Sequence, residues 1–211
     1  MDIKSYILGL VLSIPGLIIA LSLHEFAHGY AAYLMGDSTA KYNGRLSLNP
    51  FSHLDIMGTL CLFLFRFGWA KPVPINPYNF KKRRLGIIVV SLAGPFMNFV
   101  VAVISAFVLE IIRRFMPYGE LHNFLYYVVL YSLMLNVGLM CFNLIPIPPL
   151  DGSKVLIELL PYRYAEVFYR IEQYSSFILM ALLFTNALSP VLGTMRSFVL
   201  TAINIIVGLV F

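Results

Sequence analysis

The sequence predicts an all-α polytopic membrane protein, and three observations carry that prediction. Charged residues are 12% of the 211 positions and hydrophobic ones 60%, against roughly 25% charged in a soluble domain. Four uncharged stretches, at 6–23, 86–109, 124–150 and 174–195, approach or exceed the roughly 20 residues that cross hydrocarbon. The segment between the first two is rich in turn signals and carries an apolar patch, 56–65, too short to span. Spans are therefore expected at about 5–35, 86–112, 123–145, 174–192 and 196–211, with a short strand or re-entrant piece within 37–80, all in one membrane domain.

The first stretch follows only Lys4 as a basic residue and runs straight into a polar cluster. Cleavage as a signal peptide would cut beside that cluster, so an uncleaved helix is expected. In the next segment Asn43-Gly44, Asn49-Pro50 and Pro72-Val73-Pro74 mark turns around short extended pieces. At the other end Asn186, Ser189-Pro190 and Arg196 divide the last 38 residues into one span plus a half, or two spans. Cys61 and Cys141 sit in unrelated apolar surroundings and read as small buried hydrophobes.

The net charge of +5 is spread between apolar stretches, with one basic run from Lys81 to Arg84. That placement reads as a membrane anchor facing lipid, and no nucleic-acid partner is expected. If 36–85 stays on one side, only Lys4, Arg113, Arg114 and Arg196 fall outside, and the other 11 of the 15 Lys and Arg fall inside. The positive-inside rule then places the end of the first helix and Asp151 on the cytoplasmic side.

His24-Glu25-Phe26-Ala27-His28 closes the first span. Residues four apart share one helix face, so both imidazoles can face one ion, while Glu25 is offset to reach a water. Three ionisable groups at membrane depth cost several kcal/mol unless paired or coordinated; the bland reading is an interfacial polar cluster at a helix end. A catalytic zinc takes three protein ligands, and two imidazoles leave one to be found. Asp151 closes the uncharged stretch 124–150 after Pro146-Ile147-Pro148-Pro149-Leu150. It reads as that third ligand and, compatibly, as the N-cap of a short helix. The prolines force extended backbone at membrane depth, either as a cavity-lining edge that pairs with substrate or as a plain helix terminator.

The two segments together, His24 to His28 and Asn143-Leu144-Ile145-Pro146-Ile147-Pro148-Pro149-Leu150-Asp151-Gly152, resemble the paired signature of the site-2 proteases. Gly94-Pro95-Phe96-Met97-Asn98 resembles that family's Gly-Pro-x-x-Asn element. The segment from Phe67 to Pro77 resembles the short prokaryotic branch without a PDZ or CBS domain; Ser153 departs from a frequent second glycine. The resemblance implies a three-helix catalytic core and one Zn2+. It also implies cleavage of transmembrane protein or peptide substrates near the cytosolic face, in a multi-pass protein of a prokaryotic inner membrane. By matching position Asn143 would bind substrate backbone or the oxyanion and Asn98 would line the same interior, the other reading of either asparagine being an interhelical hydrogen bond. Pro146 and Pro148 join this substrate-binding set. His53 reads as a local pair with Asp55, with a second reading as a neighbour of the site; His122 reads as solvated.

The implied chemistry is peptide hydrolysis, with His24, His28 and Asp151 holding zinc and Glu25 as the base. Two other classes compete. A non-catalytic chaperone or regulator of transmembrane helices has no need of Glu25, and a zinc transporter would spread its ionisable groups along a crossing path.

Overall fold

The computed structural model describes residues 3–55, 57–58 and 70–211. Helix α1, Ile3–Met35, ends at Gly36, whose φ of 112° lies in the left-handed region. There Asp37 N donates to Ala32 O at 2.9 Å and Gly36 N to Tyr33 O at 3.1 Å. Those paired bonds satisfy the last carbonyls of a helix end and turn the chain sharply.

The turn delivers Asp37, fully buried, into a clasp. Its carboxylate accepts from Thr39 N, from the Thr39 hydroxyl, from Asn76 N at 2.7 Å and from Asn79 Nδ2 at 2.7 Å. The two ends of the turn-rich segment are thereby tied to the end of α1. Between them lie the short helix α2, Thr39–Tyr42, and the 3₁₀ turns Pro50–Ser52 and Pro77–Asn79, each capped by the Asn before it. No strand forms among the described residues; the expected extended character survives as one antiparallel bridge, Leu54 with Ala70. Most of the apolar patch 56–65, and Cys61 with it, lies outside the described residues.

Helix α3, Arg83–Phe115, and α4, Glu120–Asn143, pack with α1 as a three-helix core. At Gly16 a Cβ would lie 2.6 Å from Ser132 Cα, so α1 and α4 approach backbone to backbone. Small residues make such contacts where lipid offers no hydrophobic gain from burial. Beyond α4 come α5, Asp151–Leu159, α6, Tyr162–Glu172, α7, Ser175–Phe184, and α8, Ser189–Gly208. By length and composition four segments are able to cross a membrane: Tyr6–Met35, Arg83–Phe115, Glu120–Asn143 and Ser189–Gly208. This is a multi-pass, all-α membrane protein.

The C-terminal part differs from the expected spans at 174–192 and 196–211. Asn186 adopts a φ of 57°, with Ala187 N bonded to Leu182 O and Asn186 N to Leu183 O, both at 3.1 Å. This stops α7 after ten residues, and Pro190 then starts α8. Leu179 of α7 packs on Ile145 and Leu150, beneath the proline loop. Leu192 of α8 joins the same cluster, whereas Phe211 reaches Phe107 and the Arg114 guanidinium. Helix α8 therefore runs from the Asn143 end of the bundle to the Arg114 end. Arg196, expected beyond the far end, instead lies within α8 against Gly138, with its Nη2 3.2 Å from the position of a Cβ there. His122, expected to be solvated, is 5% exposed, because Tyr118 and Tyr126 pack against its ring.

Candidate metal centre

Helix α1 presents His24 and His28 on one face, one turn apart. Their rings meet edge to face with centroids 4.5 Å apart, and their Nε2 atoms lie 2.9 Å from each other. Asp151, the first residue of α5, completes the group, its Oδ2 lying 3.3 Å from His24 Nε2 and 3.1 Å from His28 Nε2. All three residues are buried, and their ligand atoms fall within 4.8 Å of one another. Segments more than 120 positions apart in the chain thus converge on one point.

Each ring is held from behind by an oxygen. His24 Nδ1 contacts Asn98 Oδ1 at 2.6 Å, and His28 Nδ1 contacts Val90 O at 2.7 Å. A carbonyl oxygen only accepts, so each Nδ1 carries the proton and each Nε2 turns toward the common centre. Two imidazole nitrogens and a carboxylate crowded at about 3 Å fit a cation held between them, and two histidines with a carboxylate are a zinc ligand set that leaves one position open. Asp151 stays ionised. Burial disfavours its charge, but its contacts with His24 and His28 and the Lys154 ammonium at 3.1 Å hold the carboxyl well below the usual range.

Close backbone approach makes the convergence possible. A Cβ at Gly94 would lie 2.5 Å from His28 Nε2 and 2.6 Å from His24 Nε2, so α3 packs directly on both rings. At Gly152 a Cβ would lie 2.3 Å from Leu144 O, so the start of α5 lies against the end of α4.

Glu25 lies beside the rings without joining them, half-buried, with Oε2 accepting from Val73 N at 3.0 Å. A cavity of about 660 Å³ runs over the group, lined by Glu25 and the three metal-site residues and by Pro72, Val73, Leu139, Phe142, Asn143 and Lys154, among others. Asn143 is on that wall, its Nδ2 donating to Leu139 O at 3.1 Å. Asn98 is not; it lies behind His24 and is fully buried. Of the loop prolines, Pro149 lines the cavity, and Pro146 and Pro148 do not. His53 is also absent from the lining; its Nε2 bonds Ser47 O at 2.7 Å in place of the expected pairing with Asp55.

Nothing in the pattern of motifs singles out Asp37, Lys154 or Asn136. Asn136 carries a faint signal: it is a polar residue inside an uncharged stretch, seven positions before Asn143 and so on the same helix face.

Fold and donor set define a class, a membrane protein with a hydrolytic zinc centre. The model of Peptidase family M50 matches residues 114–186. Over 181 residues the chain is 39% identical to a Bacillus subtilis protein named "Putative zinc metalloprotease YwhC", a match covering 85% of this chain and 83% of that one. It is 31% identical over 191 residues to the "Putative zinc metalloprotease Rip2" of Mycolicibacterium smegmatis, covering 88% and 71% of the two chains. A shorter match, 42% over 67 residues, reaches the "Putative zinc metalloprotease MJ0611" of Methanocaldococcus jannaschii, covering 32% and 31%. No solved structure matches significantly. The chain belongs to peptidase family M50, the site-2 proteases, and is a zinc metalloprotease.

Proposed function

We propose that this chain is an intramembrane endopeptidase that hydrolyses peptide bonds in transmembrane segments of other membrane proteins, as in regulated intramembrane proteolysis. The carrying observation is depth: His24, Glu25 and His28 lie inside the apolar segment Tyr6–Met35, under a cavity walled by Leu139 and Phe142 as well as by polar groups. In this reading His24, His28 and Asp151 hold zinc. When bound, zinc supplies Lewis acidity, acidifying water and polarising a peptide carbonyl. Glu25, beside the group, would act as the base that takes a proton from water and would return it to the leaving amine. Asn143 on the cavity wall hydrogen-bonds the substrate backbone or the oxyanion. The run Pro72-Val73-Pro74, non-helical on the cavity wall, favours an unwound substrate, because a helical peptide bond hides its carbonyl.

The partners in this reading are a transmembrane protein or peptide substrate and membrane lipid, with no nucleic acid. The membrane is a prokaryotic inner membrane and the site faces the cytoplasm. The charge bias supports that orientation: with Arg196 inside α8 and so outside the loop count, 11 basic residues stand on the side of the site against Lys4, Arg113 and Arg114 at the far end.

The test is cleavage of a single-span substrate in liposomes, with cut sites mapped by mass spectrometry. Cuts within the span, abolished in Glu25→Gln with zinc retained, are expected. Cuts confined to soluble loops, or unchanged cleavage in the variant, would overturn the reading. Asp151→Asn is expected to lower zinc content, and a full zinc load in that variant removes Asp151 from the ligand set.

A further inference from the structure

Behind His24 the polar contacts run on through Asn98 to Asn136, inside α4 and fully buried. Asn136 Nδ2 donates to Ser132 O at 2.8 Å. Its Oδ1 accepts from Asn98 Nδ2 at 2.9 Å, and the same Nδ2 donates to Ala20 O at 3.2 Å. Backbone carbonyls cannot donate, so each amide must turn its NH2 toward them. The bonds therefore have a single direction: Asn136 presents an acceptor to Asn98, and Asn98 presents its Oδ1 to His24 Nδ1 at 2.6 Å. An oxygen there requires Nδ1–H and leaves the lone pair on Nε2, the nitrogen that faces His28 and Asp151.

We propose that Asn136 is a positioning residue for the metal centre, which acts through Asn98 to select the Nδ1–H tautomer of His24 and to hold its ring. The inference rests on His24 being a zinc ligand. Without Asn136, the Asn98 amide keeps only the 3.2 Å bond to Ala20 O against rotation. A rotated amide offers NH2 to Nδ1, moving the histidine proton to Nε2, where it blocks ligation. Partners behind a metal-bound histidine commonly change metal affinity by about 10- to 100-fold.

The experiment is zinc affinity by chelator competition, with the visible spectrum of the cobalt-substituted protein, on the full chain in detergent. Asn136→Leu is expected to weaken zinc by about tenfold or more and to shift the cobalt bands. Asn136→Asp, protonated at this buried position, repeats the donor and acceptor of the amide and is expected to retain wild-type affinity. In an Asn98→Ala background Asn136→Leu is expected to add nothing, because the route through Asn98 is already cut. Wild-type affinity and spectrum in Asn136→Leu, or a loss that adds fully to that of Asn98→Ala, would overturn the proposal. If Asn136→Leu does not fold, Asn136→Asp decides: an affinity about tenfold below wild type overturns it. His24→Ala separates the two levels. Retained zinc there removes the ligand reading itself, whereas lost zinc there with intact affinity in Asn136→Leu removes only the role of Asn136.

Discussion

Glu25 and Val73 are joined across 48 positions by a hydrogen bond from the Val73 backbone N–H to Glu25 Oε2 at 3.0 Å. One bond thus ties the residue read as the base to the run Pro72-Val73-Pro74. A glutamine at 25 still offers a carbonyl oxygen to Val73 N, and an alanine does not. Glu25→Gln is therefore expected to keep the run docked and lose cleavage by about 10²-fold or more, whereas Glu25→Ala also releases the run. Limited proteolysis at Lys71 and Lys81 measures the difference, and equal protection in the two variants would show that the bond does not hold the segment.

Gly94 makes a separate prediction about the metal. A methyl group at this position would lie within 2.6 Å of both imidazoles, closer than atoms tolerate, and neither ring is free to retreat because each is bonded behind. Gly94→Ala should lower zinc affinity by about tenfold or more while the far end of the bundle stays intact. Elemental analysis beside a thermal unfolding curve in detergent reads both quantities. A variant with a full zinc load would mean that α3 can shift outward without cost.

The metal centre was legible in the sequence because each part carries its own constraint. Helical spacing puts His24 and His28 on one face, the price of charge in lipid demands a reason for both, and the split of basic residues puts Asp151 on the same side. The surroundings were less legible. Asp37 stands just past the first span with nothing periodic about it, and its value comes from Asn76 and Asn79, which only the folded turns bring near. The position of the C-terminal break was less legible because hydropathy continues across 174–195, while the break depends on the left-handed backbone of Asn186. Pro190 was visible as a breaker, but an apolar window does not reveal which side of a breaker crosses the membrane.

Asp37 predicts how the turn-rich segment responds to acid. Burial pushes its carboxyl up, but the hydrogen bonds from Thr39, Asn76 and Asn79 outweigh that effect and hold it below its ordinary value. A carboxylate lowered in the native state contributes stability that is complete above the unfolded pKa, about 3.9, and is lost as pH falls through the native one. Protection from protease at Lys41 and Lys81, on either side of the clasp, should therefore hold down to about pH 4 and fail below it. In Asp37→Ala it should already be weak at pH 7, by about 2–3 kcal/mol for donors left unpaired around a lost charge. Equal protection in wild type and variant at pH 7 would remove Asp37 as the clasp.

Gly152 tests whether the carboxylate is positioned by the backbone that follows it. The start of α5 lies so close to the end of α4 that a Cβ at 152 would stand 2.3 Å from Leu144 O, 2.5 Å from Leu144 C and 2.8 Å from Ile145 O. These are main-chain atoms, which cannot rotate away as a side chain does, so Gly152→Ala must push α5 from the loop. Asp151 is the adjacent residue, and a displacement of about 1 Å is enough to spoil a metal site. The variant should therefore lose zinc as Asp151→Asn does, although it removes no ligand atom and no charge. Zinc content of Gly152→Ala, Asp151→Asn and wild type, compared at equal thermal stability, is the measurement. A zinc-replete Gly152→Ala would show that α5 can slide along α4 while its first carboxylate stays in place.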